Sequence, residues 1–388
     1  SKQKRIATAL QRIEVGDTHP SMFRTSIFVK RELICKIDGE KFRKPRIISD
    51  LNDMVPNVML GPWIYAFSKF LAANWNVEST LTYASGLDGR GVGRWMEICL
   101  SRYPHPMFIE TDMVSFDSSF STQAISAEHK IYKLHGMSTD KQATEAYNYQ
   151  YTTRGFNRTR HGERIAYTVP GKRKSGTPNT SCGNSLINAL LHTKYLHEVG
   201  IYDFKLIVLG DDVLIVCQHT RVDEQGLSAF MRHHGFEVKS KIQNKICEAE
   251  FCSKLFWPST IGLVLASKPG RQLAKIGYSL TKPTDPAQHM AAVAKSMPLD
   301  MAVPFLRKYL AECVRRSPNV KPLPSYGFNN YIGAEVSATT ETLAFFEARY
   351  GFSHLRESSL EEQIRQPAAN SHSLVTNPWV LILMEKDL

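Results

Sequence analysis

Apolar residues recur along this chain with two different periods. In NTSCGNSLINALLHTKYLHEV (Asn179 to Val199), Leu186, Ile187, Leu190, Leu191 and Leu196 fall at helical spacing. This predicts a helix fed by a loop, with Ser175 to Asn184 on the loop and the first helical turns. In LIVLGDDVLIV (Leu206 to Val216), two β-branched runs too short for helices flank Gly210-Asp211-Asp212, residues that favour turns. That pattern predicts a hairpin with its acids at the tip. MFIETDMVSFDSSF (Met107 to Phe120) reads as a short strand leading into a turn or helix start. Residues 123–150 read as helical, and the basic stretch from Thr153 to Gly176 as a hairpin or loop region. Helical stretches near 286–315 and 338–350 form a further lobe. WVLILM (Trp379 to Met384) is expected to pack onto the body, with membrane contact as the alternative. There is no repeat, low-complexity tract or Gly/Ser linker, so the lobes are expected to pack together.

Composition adds limits to this picture. With 388 residues, 43% hydrophobic and 22% charged, the chain is long enough for a large core and more than one lobe. No apolar run approaches the roughly 20 residues of a membrane span. The opening SKQKRIATALQRIEV has no signal-peptide core and no initiating methionine, so a soluble chain cut from a longer one is expected. A formal charge of +11 points to a polyanionic partner such as nucleic acid. Seven cysteines without framework spacing suit a reducing compartment. Asn157-Arg-Thr and Asn179-Thr-Ser match the glycosylation pattern, but nothing else supports secretion. Cys247 and Cys252 lie near His233 and His234 at a spacing that fits no standard zinc finger, so buried thiols and surface histidines are the expectation.

Candidate chemistry rests on carboxylates. If the strand before Asp112 lies beside the hairpin, Asp112, Asp211 and Asp212 share one small space. Two unit charges 4 Å apart repel by about 4 kcal/mol at an effective dielectric near 20, so the cluster calls for a cation or a proton. With no histidine or thiolate beside it, it favours hard ions, magnesium or manganese over zinc. Such a site suits two ions about 3.5 to 4 Å apart acting in an in-line phosphoryl displacement. Taken one at a time, the same residues read as a strand-end cap (Asp112), a helix N-cap (Asp117) and turn formers (Asp211, Asp212).

Asp112-x4-Asp117, then SGTPNTSCGN with Ser175, Gly176, Thr180 and Asn184, then Gly210-Asp211-Asp212 follow the order and spacing of motifs A, B and C of viral RNA-dependent RNA polymerases. The chain resembles that family, and within it the tombusvirus-like positive-strand group. Phe28 to Ser49 resembles the basic motif F, Tyr83 to Met96 the region that admits template, His234 to Lys241 motif D, and Glu250 to Phe256 motif E. The resemblance covers about residues 28–256.

By this similarity Asp112 and Asp211 are the principal metal ligands, with Asp212 weaker beside them and magnesium, or manganese, as the ion. Asp117 and Asn184, assisted by Ser175 and Thr180, would read the 2′-hydroxyl of the incoming nucleotide. A hydroxyl is both donor and acceptor, so carboxylate, amide and hydroxyl groups can tell ribose from deoxyribose. Lys30, Arg43, Lys44 and Arg46 would escort the triphosphate. Lys239 would protonate the leaving pyrophosphate, with Lys241 its rival, and Cys252 and Ser253 would support the RNA 3′ end.

The implied fold is an α+β right hand with an antiparallel palm sheet flanked by helices. Residues 1–104 are the N-terminal region and fingers, 105–127 palm, 128–170 a fingers insertion, 171–255 palm, and 256–388 a mostly helical thumb and tail. The implied partners are an RNA template and product, ribonucleoside triphosphates and other viral replication proteins. The expected setting is the host cytoplasm, at membrane-associated sites reached through partners, with no direct span. A reverse transcriptase or other palm polymerase is the alternative, and an RNA-binding scaffold or two-metal nuclease fits less of the pattern.

Overall fold

A computed structural model describes residues 1–32, 46–158, 161–218, 222–276, 278–280, 283–323, 335–352 and 378–388. Arg43 and Lys44 lie outside the described residues. The chain divides into two compact units. One comprises Ser1–Lys30, Lys44–Ser85 and Ile109–Ile242, the other Arg31–Arg43, Gly86–Phe108 and Gln243–Leu388.

In chain order the described elements run α1 (Lys2–Glu14), β1 (Thr25–Val29), β2 (Ile47–Leu51), α2 (Val55–Asn74), β3 (Leu81–Tyr83), α3 (Gly89–Arg102), β4 (Pro106–Met113), α4 (Phe116–Ser119), α5 (Thr122–Leu134) and α6 (Lys141–Asn148). They continue with β5 (Thr152–Arg158), β6 (Arg164–Pro170), α7 (Asn179–Glu198), β7 (Phe204–Leu209), β8 (Asp212–Gln218), α8 (Glu224–His233) and β9 (Val238–Gln243). The last are β10 (Glu250–Phe251), β11 (Lys254–Ser259), β12 (Gly262–Ser267), α9 (Pro269–Leu273), α10 (Pro286–Lys295), α11 (Leu306–Arg316), α12 (Thr340–Tyr350) and α13 (Pro378–Asp387).

The first unit is built on a five-stranded sheet in the order β3-β7-β8-β4-β9. Its central strands are apolar on both faces: Leu206, Ile207 and Val208 in β7 and Leu214 and Val216 in β8 are fully buried. That explains why LIVL and VLIV are continuous runs instead of alternating ones. Lys205, inside β7, is tolerated because its ammonium donates to the carbonyls of Val77 and Ser79, both at 2.7 Å. The expected antiparallel sheet is corrected here. β7 and β8 are antiparallel, but β3 lies parallel to β7, with Leu81 opposite Leu206. A parallel neighbour cannot come from a hairpin and must arrive by a long crossover, so the three-residue β3 leaves no local pattern that reveals its partner. A second sheet, β2-β1-β5-β6, is also mixed: the basic Thr153–Gly176 stretch supplies the antiparallel β5–β6 hairpin, and β1 meets β5 in parallel.

In the second unit β10, β11 and β12 form a small antiparallel sheet. Helix α3 lies against β12, where Glu97 accepts the Leu263 N–H at 2.7 Å. The region after residue 256 is therefore not helical from its start. Trp257, Phe305, Leu306, Phe346 and Leu383 share its core, so WVLILM is a helix packed on the body of this unit. Among the described residues, no helix is long and apolar enough to cross a membrane.

Candidate active site

β4 alternates buried and exposed positions at its end: Thr111 and Met113 point into the core and Asp112 points out. Asp112 is thus part of the strand, not a residue beyond it. Because β4 lies between β8 and β9, the acid strand flanks the acid-tipped hairpin. The Asp112 carboxyl is pushed above its ordinary range, first by desolvation and then by the negative charge of Asp211, while Lys239 and Arg46 pull it back. Asp211, Lys239 and Arg46, from three separate stretches, therefore all act on the Asp112 carboxyl electrostatically. Asp211 is exposed at the tip, and Asp212 opens β8 half-buried. Among the described residues, no three acidic, histidine or cysteine side chains stand ready as a metal cage. What is assembled is the mutually repelling pair Asp112 and Asp211, an all-oxygen donor set whose chemistry fits a hard cation.

Gly210 and Asp211 alone join β7 to β8, with Leu209 opposite Asp212. Gly210 has φ +66°, and a side chain there would meet nothing within 4 Å, so the turn needs glycine for its backbone angle and not for space. α7 holds this turn through residues that the motif reading passed over. Ser185 Oγ accepts the Gly210 N–H at 2.7 Å, and Asn188 Nδ2 donates to the carbonyls of Gly210 at 3.0 Å and Asp211 at 3.1 Å. One helical step further, His192 is bonded to the Asn188 carbonyl at Nδ1 and to the Thr111 hydroxyl at Nε2, at 2.9 and 3.0 Å. A carbonyl can only accept, so Nδ1 carries the proton and Nε2 accepts from Thr111, the neighbour of Asp112. Burial lowers the His192 pKa to about 4, which keeps the ring neutral. Asn184, Asn188 and His192 recur every four residues, on one ridge of α7. Buried polar residues at that spacing inside an apolar helix were the available sequence signal. Asn188→Ala strands two turn carbonyls and is expected to cost about 1–3 kcal/mol in urea unfolding. Unchanged unfolding would show that the turn holds itself.

Asp117 sits in the single-turn α4, entered through Ser115 at φ +50°. Both its carboxylate oxygens are engaged: Ser175 Oγ donates to Oδ2 at 2.5 Å and Asn184 Nδ2 to Oδ1 at 2.8 Å. The Ser175 N–H donates to the Ser49 carbonyl at 2.9 Å, which ties this loop to β2. Thr180 does not reach Asp117; its hydroxyl donates within its own loop, to the carbonyls of Lys174 and Thr177 at 2.9 Å. Lys30 and Arg46 meet across β1 and β2, where the Lys30 N–H donates to the Arg46 carbonyl at 2.9 Å, and both residues are exposed. Cys252 and Ser253 belong to the other unit. They form the two-residue turn between β10 and β11, at φ +50° and +58°, a conformation that costs non-glycine residues roughly 1–2 kcal/mol each.

Lys174 adds a pH signature. It is 2% exposed, and its ammonium has the Tyr149 carbonyl at 3.2 Å. Burial, and then the charge of Arg173, lower its pKa from 10.5 to about 7. Between those values the unfolded chain binds a proton that the folded chain does not, so this residue makes stability rise with pH from about 7 upward. Below about 7 both forms are protonated and the burial penalty is fully present. Urea midpoints should therefore increase between pH 7 and 9 in the parent, and Lys174→Met should flatten that increase. Parallel curves for the two proteins would contradict it.

An acid strand thus lies beside an acid-tipped hairpin, and in the same unit the Asp117 carboxylate is held by a hydroxyl and an amide. The family profile "Viral RNA dependent RNA polymerase" matches residues 68–317, and the chain belongs to that family. The RNA-directed RNA polymerase of turnip crinkle virus is 29% identical over 303 residues, covering 75% of this chain and 37% of that protein. Those of tomato bushy stunt virus (strain Cherry) and cucumber necrosis virus are each 23% identical, over 94% of this chain and 46% of theirs. The chain thus spans less than half the length of these relatives.

Proposed function

We propose that the chain catalyses template-directed RNA synthesis: a 3′-hydroxyl attacks the α-phosphorus of a ribonucleoside triphosphate and pyrophosphate leaves. The observation that carries this reading is Asp117, five residues after Asp112 and held through both oxygens by Ser175 and Asn184. Asp112 and Asp211, with Asp212 at the edge, would hold magnesium, or manganese in its place, which supplies charge neutralisation for an in-line phosphoryl displacement. Lys239, within electrostatic reach of Asp112, would give a proton to the departing pyrophosphate. Arg46 and Lys30 would receive the triphosphate, Arg46 through its planar fork. The Asp117 cluster would read the sugar, because a 2′-hydroxyl both donates and accepts, and carboxylate, hydroxyl and amide groups can bond it where a deoxyribose offers nothing. The Cys252–Ser253 turn would support the RNA 3′ end. Palm residues are 105–127 and 171–255, fingers 1–104 and 128–170, and thumb and tail 256–388. The charge of +11 suits a channel that holds RNA chiefly by its phosphates.

The test supplies purified chain with a defined RNA template, magnesium and labelled nucleotides. Products whose sequence follows the template and which require ribonucleotides are expected. Template-independent products would overturn the reading, and efficient DNA synthesis from deoxynucleotides would favour a reverse transcriptase.

A further inference from the structure

Behind Asn184 lies a fully buried ion pair that none of the motif roles uses. The Arg173 guanidinium and Glu128 carboxylate are both 0% exposed and form a two-pronged pair: Nη2 bonds Oε2, and Nη1 lies 3.3 Å from Oε1. A charge this deep persists only when every surrounding group compensates it. Arg173 stacks on the Phe120 ring at 4.2 Å, and Nη1 also donates to Gln150 Oε1 at 3.3 Å. Asn179 Nδ2 donates to Glu128 Oε1 at 2.9 Å and to Gln150 Oε1 at 3.1 Å, and Gln150 Nε2 returns a bond to Asn179 Oδ1 at 3.0 Å. The pair presses against α7 at Gly183, where a Cβ would stand 2.3 Å from Glu128 Oε1 and 2.9 Å from Arg173 Nη2. Only glycine lets it come this close to the next residue, Asn184.

The remaining donor of the guanidinium, Nε, points at Asn184 Oδ1, 2.9 Å away. An asparagine amide can present either end to a neighbour, and a flip exchanges donor for acceptor. Arginine offers donors only, so it admits only the oxygen of Asn184. The NH2 group must then face Asp117, where it donates to Oδ1 at 2.8 Å.

Resting on the polymerase reading above, we propose that Arg173, anchored by Glu128, is a positioning residue that sets sugar selectivity by locking the orientation of the Asn184 amide. It does not touch the nucleotide. Its effect passes through Asn184 to Asp117 and leaves the metal-binding acids alone.

The test compares parent, Arg173→Lys, Glu128→Gln and Asn184→Ala, together with the Arg173→Lys/Asn184→Ala double variant. Each is measured for kcat/KM with GTP and with 2′-deoxy-GTP, and for equilibrium binding of the two nucleotides by competition. Arg173→Lys keeps the charge but lacks the Nε donor, and Glu128→Gln keeps the shape but loosens the anchor. Each is expected to lower the ribose-to-deoxyribose ratio about tenfold, in kcat/KM and in binding. A general loss of folding would lower both nucleotides together and leave the ratio in place. In the double variant the ratio should equal that of Asn184→Ala alone, because the arginine acts only through that amide. An unchanged ratio in folded Arg173→Lys and Glu128→Gln would overturn the proposal, as would a further drop in the double variant. If the parent makes no template-dependent RNA, the polymerase reading fails, and the binding ratios still decide the role of Arg173.

Discussion

Asp112→Ala is expected to reduce template-directed incorporation by at least about a thousandfold, equivalent to roughly 4 kcal/mol of activation free energy. The reason is positional. Asp112 lies on the exposed side of β4, the neighbour of β8, and with Asp211 it would supply the oxygens that hold the ion at the reacting phosphate. The same change should not destabilise the fold. Desolvation and the charge of Asp211 raise the Asp112 pKa, so the folded chain disfavours the carboxylate, and that penalty is fully present above the raised pKa. At pH 7, Asp112→Ala and Asp112→Asn should therefore leave stability equal or up to about 1 kcal/mol higher, since solvent screens much of the repulsion at this exposed site. Single-turnover incorporation and urea denaturation on the same preparations check both halves. Retained activity would remove Asp112 from the metal site, and a marked loss of stability would show that it supports the strand instead.

Arg349→Met is expected to cost about 3–5 kcal/mol of stability, the penalty of leaving buried anions without their cation. In the second unit Arg349 is 4% exposed and Asp387 is 1% exposed. Arg349 Nη2 contacts Glu250 at 3.0 Å and Asp387 at 3.2 Å, and Nη1 donates to the Cys247 carbonyl at 2.8 Å. Asp387 also accepts from the Tyr350 hydroxyl at 3.0 Å and from the Gly270 N–H at 2.9 Å, so one cluster joins α12, α13, α9 and the start of β10. Burial already raises the Asp387 pKa even with Arg349 beside it. Without the arginine it should rise further, so the folded variant takes up a proton at a higher pH than the parent does. The stability gap should consequently narrow as the pH falls from 7 to 5. A gap independent of pH would mean that lost packing, and not the stranded carboxylate, is the cause. Glu250 directly precedes the Phe251–Lys254 pair, so this cluster also fixes the strand that leads into the Cys252–Ser253 turn.

Several elements are legible in the amino-acid sequence itself. The β7–β8 hairpin, α7 and the β5–β6 hairpin all appear where hydrophobic period and turn chemistry place them, because each is stabilised by contacts close in sequence. Asp112, Asp117, Ser175 and Asn184 could be named because their spacing is a motif. Thr180 was named for the same reason, yet its hydroxyl serves its own loop. Asn188, Arg173 and Glu128 were missed. Asn188 reads as one more polar residue on a helix, and Arg173 as one charge in the basic KRK run, until burial shows what each must bond.

What the amino-acid sequence determined alone is the set of chemical groups and their local frames: acids on a strand end and a hairpin tip, and an amide and hydroxyls at the start of a helix. Which of these meet is set by packing between distant segments. β3 joined the sheet in parallel, Asp112 came within reach of Asp211, Lys239 and Arg46, and Arg173 took hold of Asn184. Local patterns record periodicity and turn preference, which act over a few residues. Partnerships across the chain follow from which polar groups lose water together on burial, and each must then find its complement in whatever segment the fold brings to it.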